Sequence, residues 1–317
     1  MLKICKNKLL FLILPVAIII AGIAGYFIHG GFKQDVDFAG GSTIQFHMGK
    51  NLSDAERKTI ETAVKDAAGI ETAPRVQMTG TGFEDVLIKT SELNDDQTKA
   101  AFEAVKAAFP EQLKDTTFND VSNSLQTASY GNEMKRKTLL FSLIAALAML
   151  IYIIIRFDWR SAIMAVVSLA INVIAMLSAY ALFAIPLSAT FIAAILTIMG
   201  YSINDTIVIF DRIRENTKFA KNMTHSEIAD KSITESLTRT INTSVTTLIT
   251  IVILYFMGAT TLKEFALPII IGIVVGSYTS IFVASPWVAA WKDIAREAQK
   301  ERAAAARASK KSGKSKK

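Results

Sequence analysis

Six long apolar stretches, at about 9–28, 137–155, 161–184, 187–210, 241–258 and 265–289, limit what this 317-residue chain can fold into. Each is near or above the ~18 residues that carry a helix across a bilayer. Lipid offers no partner to a backbone N–H or C=O, so segments of this kind become helices that satisfy their own polar groups. The chain is 51% hydrophobic yet carries a net charge of +7. A polytopic membrane protein reconciles the two by gathering its charges outside the hydrocarbon. The fold class expected is an α-helical polytopic membrane protein with six transmembrane helices.

Lysine and arginine set the expected orientation. Lys3, Lys6 and Lys8 precede the first run, Arg156 and Arg160 flank the turn after the second, and Arg212, Arg214, Lys218, Lys221, Lys231 and Arg239 follow the fourth. The tail is basic throughout, whereas 184–188 is uncharged and 258–265 offers only Lys263. Both termini are therefore expected in the cytoplasm. The expected domains are 1–29, an N-terminus and first transmembrane helix; 30–133, an extracytoplasmic domain; 134–291, a five-helix bundle with a cytoplasmic loop at 211–240; and 292–317, a basic cytoplasmic tail that frays. The positive start and the small-residue patch at 21–25 suit a cleavable leader, but a run of ~20 residues exceeds the usual h-region, so it is read as a retained helix.

The region 30–133 reads as a small α+β domain. Residues 42–48 alternate as a strand, and 53–68 is a helix opened by a capping box of Ser53 and Glu56. The stretches 75–79 and 83–90 flank Gly80 and Gly82 as a hairpin, and Asn94 caps a helix that Pro110 stops. A last strand is expected at 116–121. The order β-α-β-β-α-β is the split βαβ, or ferredoxin-like, plan.

The residue that points to function is Asp205, set inside the apolar run 187–210. A carboxylate at membrane depth costs at least ~2.5 kcal/mol on insertion scales and marks an ion or proton path by default. It precedes Asp211, at the interface with Arg212, by six residues, or about 9 Å of helix. Tyr201, Ser202 and Asn204 surround it in sequence, and Gly200 offers a close approach for another helix. Removal from water favours the neutral carboxyl and a nearby cation favours the charged one, a balance that a proton relay requires. The plainer reading is a structural carboxylate satisfied by hydroxyls.

On the fifth run Arg239 stands at the start, and Thr243, Thr246, Thr247 and Thr250 recur on one helical face. They are read either as a partner for Asp205 or as an interfacial anchor with threonines that glue helices. On the sixth run Gly272, Gly276, Ser280 and Ala284 form a small-residue stripe that suits helix packing. Asn172, midway along the third run, is read as an interhelical hydrogen bond.

Other signals exclude chemistry. A single cysteine, Cys5, leaves no disulfide or zinc cluster, and His29, His47 and His225 are too scattered to hold a metal. No phosphate-binding loop is present, so no cofactor is expected and the energy source must be an ion gradient, worth ~2.3 kcal/mol per charge per 100 mV. Asp37-Phe38-Ala39-Gly40 lacks the other parts of a kinase. Nor does any nucleophile–base set lie at membrane depth, so no enzyme activity is expected. The basic tail matches orientation and anionic lipid better than nucleic acid.

Together these residues resemble the SecD/SecF protein-export family, related to the RND superfamily. Residues 36–42, with Asp37, Phe38, Gly40 and Gly41, resemble its DF-x-GG-S/T motif, with alanine at 39 where threonine is common. Residues 200–216 (GYSINDTIVIFDRIREN), including Asp211 and Arg212, are similar to its fourth-helix signature, and 239–244 to the start of its fifth helix. The resemblance covers essentially the whole chain. It implies a SecD partner, the SecYEG channel, often YajC, a translocating preprotein and a bacterial inner membrane. It also implies that the proton-motive force drives late export and that the family's essential acid and base fall on Asp205 and Arg239.

Two other functions compete. Half of an RND-type small-molecule exporter would need a larger external domain with an aromatic-lined pocket, and 30–133 is only about 100 residues. A structural assembly factor would tolerate loss of the acid and base together.

Overall fold

The computed structural model describes residues 3–80, 82–126, 128–220 and 223–314. Helix α1 (Lys8–Ile28) and a one-turn helix α2 (Val36–Ala39) lead into a small domain of β1 (Gly41–His47), α3 (Asp54–Ala68), β2 (Arg75–Thr79), β3 (Asp85–Thr90), α4 (Asp95–Ala108) and β4 (Ser122–Gln126). The chain returns to the bundle as α5 (Ala128–Arg156), α6 (Trp159–Leu182), α7 (Ala189–Phe219), α8 (His225–Met257), α9 (Thr260–Thr279) and α10 (Ser285–Lys314). Among the described residues, six helical segments are long and apolar enough to cross a membrane: Cys5–Ile28, Gly131–Arg156, Trp159–Leu182, Ala189–Phe219, His225–Met257 and Leu262–Ala304. The six apolar runs fall on these six segments.

The domain's sheet runs β2-β3-β1-β4 with every neighbouring pair antiparallel. Its period-2 pattern sends Ile44, Phe46, Val86 and Ile88 to one buried face, where Ile60 and Val64 of α3 and Phe102 and Val105 of α4 cover them. The rings of Phe46 and Phe102 meet edge-on at 5.8 Å. Both helices begin on capping boxes, Ser53 with Glu56 and Asn94 with Gln97. One expectation is corrected here: the last strand lies at Ser122–Gln126, not 116–121. Asp120 Oδ2 accepts the Thr117 backbone N–H at 2.8 Å and its hydroxyl at 2.7 Å. That local turn takes the backbone out of the ladder.

The double glycine makes the joint between domain and bundle. Gly40 has φ 82°, open to glycine, and Gly41 at φ 153° lies so close to the Thr90 carbonyl that a Cβ would collide with it. This lets α2 turn directly into β1. Asp37 Oδ2 accepts the Ala189 N–H, the first of α7, at 3.0 Å. The backbone beside it pairs as well: Asp35 N–H donates to the Leu187 carbonyl and Leu187 N–H to that of Lys33, each at 2.9 Å. Lys89 of β3 sits 2.6 Å from Asp35 and 3.7 Å from Asp37. On the other side Arg75 of β2 pairs with Glu264 of α9 at 2.6 Å, and Gln77 donates to the same carboxylate. A set of paired charges thus ties the domain to α7 and α9.

Two further expectations change. The stretch 211–240, expected as a cytoplasmic loop, is largely helical: α7 continues to Phe219 and α8 starts at His225, capped by Thr224 and Glu227. The tail is helical to Lys314. Alanine, lysine, arginine and glutamate, which dominate it, are strong helix formers. Between α9 and α10 residues Ser280–Ala284 form a π turn, in which the Ser285 hydroxyl donates to the Ser280 carbonyl at 3.0 Å. Pro286 follows, with no N–H to give to the preceding turn.

Candidate functional site

Asp205 is 2% exposed, at the meeting of α7, α8 and α9. Its Oδ2 accepts the Ser277 hydroxyl at 3.0 Å and the Ser244 hydroxyl at 3.5 Å, and the two hydroxyls are 2.6 Å apart. A serine hydroxyl donates to a carboxylate and accepts from a carboxylic acid. The trio therefore serves both protonation states of Asp205 without moving a heavy atom.

The packing that creates this site comes from the glycine stripe. A Cβ on Gly272 would lie 2.6 Å from Ile198, and one on Gly276 would lie 3.1 Å from the Ser202 hydroxyl, so α9 lies directly on α7. Close approach of this kind is the usual role of small residues between membrane helices. Gly200 and Asn204 do something else. Both are exposed, and a Cβ on Gly200 would meet nothing within 4 Å. At 100° per residue they fall opposite the face bearing Ile198, Ser202 and Asp205, so they do not pack within this chain.

A second polar layer lies one turn away. Asn172 of α6 donates to the Ser202 hydroxyl at 2.5 Å and accepts from the Thr279 hydroxyl at 2.6 Å. The Thr206 and Ser280 hydroxyls lie 2.8 Å apart. Asn172 is the interhelical link expected of it. Sequence spacing does not mark Ser277, Thr279 and Ser280 as ligands, because the small-residue repeat makes the sixth run look like packing alone. The hydroxyl-rich tetrad at 277–280 was the available signal.

On α8 the structure brings Ser244 to Asp205, and sets Arg239, Thr243 and Thr247 elsewhere. The Thr243 hydroxyl donates to the Arg239 carbonyl of its own helix at 2.9 Å. Tyr201 OH lies 3.1 Å from the Thr243 carbonyl and 3.2 Å from the Thr247 hydroxyl. Arg239 lines an open cavity of about 600 Å³ at the tail side of the bundle, with Arg156, Asp211, Arg212, Glu235 and Ser236. Charges crowd that rim: Arg156 pairs with Asp211 at 3.0 Å, and Arg212 with Glu215 and Glu235 at 2.6 Å each.

Between cavity and acid lies a different stripe from the one the threonines suggested. Ser236, Thr240 and Ser244 recur every fourth residue and are all buried. Ser236 lines the cavity, Ser244 holds Asp205, and the buried Thr240 hydroxyl between them has no hydrogen-bond partner among the described residues. Their span is eight residues, about 12 Å of helix.

Residues 103–294 match the family model described as protein export membrane protein SecD/SecF, C-terminal. The chain is 36% identical over 289 residues to the protein translocase subunit SecF of Alicyclobacillus acidocaldarius, covering 89% of this chain and 90% of that one. Its identity to the SecF of Thermodesulfovibrio yellowstonii is 40% over 288 residues, 89% and 92% of the two chains. To the SecDF translocase subunit of Thermus thermophilus it is 34% identical over 272 residues, 85% of this chain but only 36% of the longer relative. The crystal structure of a Thermus SecDF, described as a translocon-associated membrane protein, superposes with a TM-score of 0.74 at 30% identity, over 91% of this chain and 38% of that one.

Proposed function

Because this chain belongs to the SecD/SecF protein-export family, we propose that it is a SecF-type subunit that works with a SecD-type partner to convert a proton gradient into movement of unfolded polypeptide through the SecYEG channel. In this reading it resides in a bacterial inner membrane with both termini cytoplasmic, YajC is an accessory, and the chain is a motor part and not an enzyme. The external domain is read as ferredoxin-like, which its strand order of β2-β3-β1-β4 and two covering helices support.

The observation that carries the reading is the buried Asp205–Ser244–Ser277 trio. A proton on Asp205 reverses one of these hydrogen bonds: the acid donates to one hydroxyl where the carboxylate accepted from it. The Ser244, Thr240 and Ser236 hydroxyls give that proton a route to the cytoplasmic cavity, where Arg239 and Asp211 stand. Arg239 acts from the cavity mouth, its fixed charge opposing a cation that lingers there. The exposed face with Gly200 and Asn204 is the one offered to the SecD-type chain, whose own helices complete the path.

Motion passes outward along α7 and α9. Asp37 holds the first N–H of α7, and Arg75 and Gln77 hold Glu264 in the second turn of α9. A shift between these helices at Asp205 reaches the domain through those pairs, and the domain takes or releases the emerging polypeptide.

The test is export in proteoliposomes that contain the channel, its ATPase and the SecD-type partner. Asp205→Asn should abolish stimulation by an imposed proton gradient and leave ATP-driven initiation intact. Stimulation of wild-type size in the variant would refute the relay.

A further inference from the structure

The bundle has an apolar groove that no part of the proton path uses. It is about 940 Å³ in volume and runs between α5, α6 and α7 on the domain side. Sites that hold a small molecule usually measure ~300–1,000 Å³. Its walls are Leu139, Leu143, Ala170, Leu177, Phe191 and Ile195, with further apolar neighbours. Lys135 and Arg136 stand at its mouth, and no other charge lines it among the described residues.

Three features define what fits there. The first is length: along α5 the groove runs from Lys135 to Ala146, eleven residues, or about 16 Å. That is half of the ~30 Å hydrocarbon thickness, the depth of one leaflet. The second is taper. Helices α5 and α6 are joined through residues 157–158 at the tail side, where Ile153 is 1% exposed, and the groove opens between their domain-side halves. A transmembrane helix of a partner would need the full depth, whereas an acyl chain needs only the open half. The third is charge. Lys135, Arg136 and Lys137 lie at the end of the bundle that otherwise has few cations. Lys137 pairs with Glu133 at 2.7 Å. Lys135 gives one hydrogen to Gln34 at 2.6 Å and keeps two others.

We propose that this groove binds one anionic phospholipid of the domain-side leaflet, its headgroup phosphate on Lys135 and Arg136 and an acyl chain along α5. Basic side chains above a cleft between membrane helices are a recurring headgroup site. The bound lipid fills the gap that separates α5 from α6 and α7.

The test is native mass spectrometry of the full chain with added phosphatidylglycerol or phosphatidylcholine of identical acyl chains. The wild type should retain phosphatidylglycerol in preference. Lys135→Gln with Arg136→Gln should weaken that binding roughly 25-fold, since each basic residue near an anionic surface contributes ~1 kcal/mol and ~1.4 kcal/mol is a factor of ten. Phosphatidylcholine, whose choline offsets the phosphate charge, should lose much less binding in the double variant. Ala170→Trp, at an exposed position that fills the groove, should displace both lipids. Equal retention of the two lipids by the wild type would overturn the proposal, as would phosphatidylglycerol binding indifferent to both variants. So would a photoreactive residue at Leu143 that captures protein, and no lipid, in native membranes.

Discussion

The carboxylate of Asp37 accepts the backbone N–H of Ala189 at 3.0 Å, across 152 positions of sequence. The first residue of α7 is thereby held by the motif that opens the external domain, and sixteen residues along the same helix lies Asp205. A carboxylate at a helix N-terminus also complements the helix dipole. Asp37→Ala should cost about 1 kcal/mol of stability, the usual loss on removing a cap. Asp37→Asn, which still accepts the hydrogen bond, should lie close to wild type. Thermal unfolding of the purified full chain compares the two.

The hydroxyls around Asp205 should be unequal. Ser277 is 3.0 Å from the carboxylate and Ser244 is 3.5 Å. Interhelical hydrogen bonds in membranes average ~0.6 and reach ~1.7 kcal/mol. Ser277→Ala should therefore reduce gradient-stimulated export by about three- to fifteen-fold, and Ser244→Ala by less. The double variant should fall short of the product of the singles, because the two hydroxyls lie 2.6 Å apart and each is an alternative partner for the other.

Thr240 separates a path from a scaffold. Its buried hydroxyl lacks a partner, so Thr240→Val removes a polar atom without breaking a bond. Stability should be unchanged or slightly higher, while gradient-stimulated export falls several-fold. Thr246→Val, on the exposed face where the hydroxyl bonds only its own helix, should leave export unchanged. Parallel measurement of export rate and unfolding midpoint decides the matter.

The external domain should loosen in acid through Glu56. Its carboxyl is lowered to about 2, first by the Lys50 ammonium at 2.6 Å and then by the Ser53 backbone and hydroxyl. A depressed folded value means the stabilisation is complete above the ordinary ~4.3 of a free glutamate and disappears as pH falls toward 2. Glu56→Gln should flatten that part of the acid profile, followed by the circular dichroism of the domain's helices.

Much of this was legible in the chain. The spans were, because an apolar run of that length has one solution in lipid, and so were the caps, because Ser53 and Glu56 act within four residues. Asp205 stood out by its cost. Its ligands did not: α8 carries hydroxyls at both 243 and 244, 100° apart, and only the packing of α9 decides which one turns inward. Sequence spacing favoured the Thr243–Thr247 face. Residues 116–121 alternated well enough for a strand, but Asp120 offered the backbone a nearer partner. The tie from Asp37 to Ala189 joins positions too distant for any local pattern to pair.

The π turn at Ser280–Ala284 makes the last membrane segment a jointed rod. It holds one residue beyond the helical repeat, and that surplus can sit at neighbouring positions with the same number of backbone bonds. Each place it moves turns the residue that it passes by about 100° and 1.5 Å, while the helix beyond on either side keeps its register. Ser277 lies three positions above the joint, so passage of the surplus through it would swing its hydroxyl away from Asp205 while both ends of the helix stayed still.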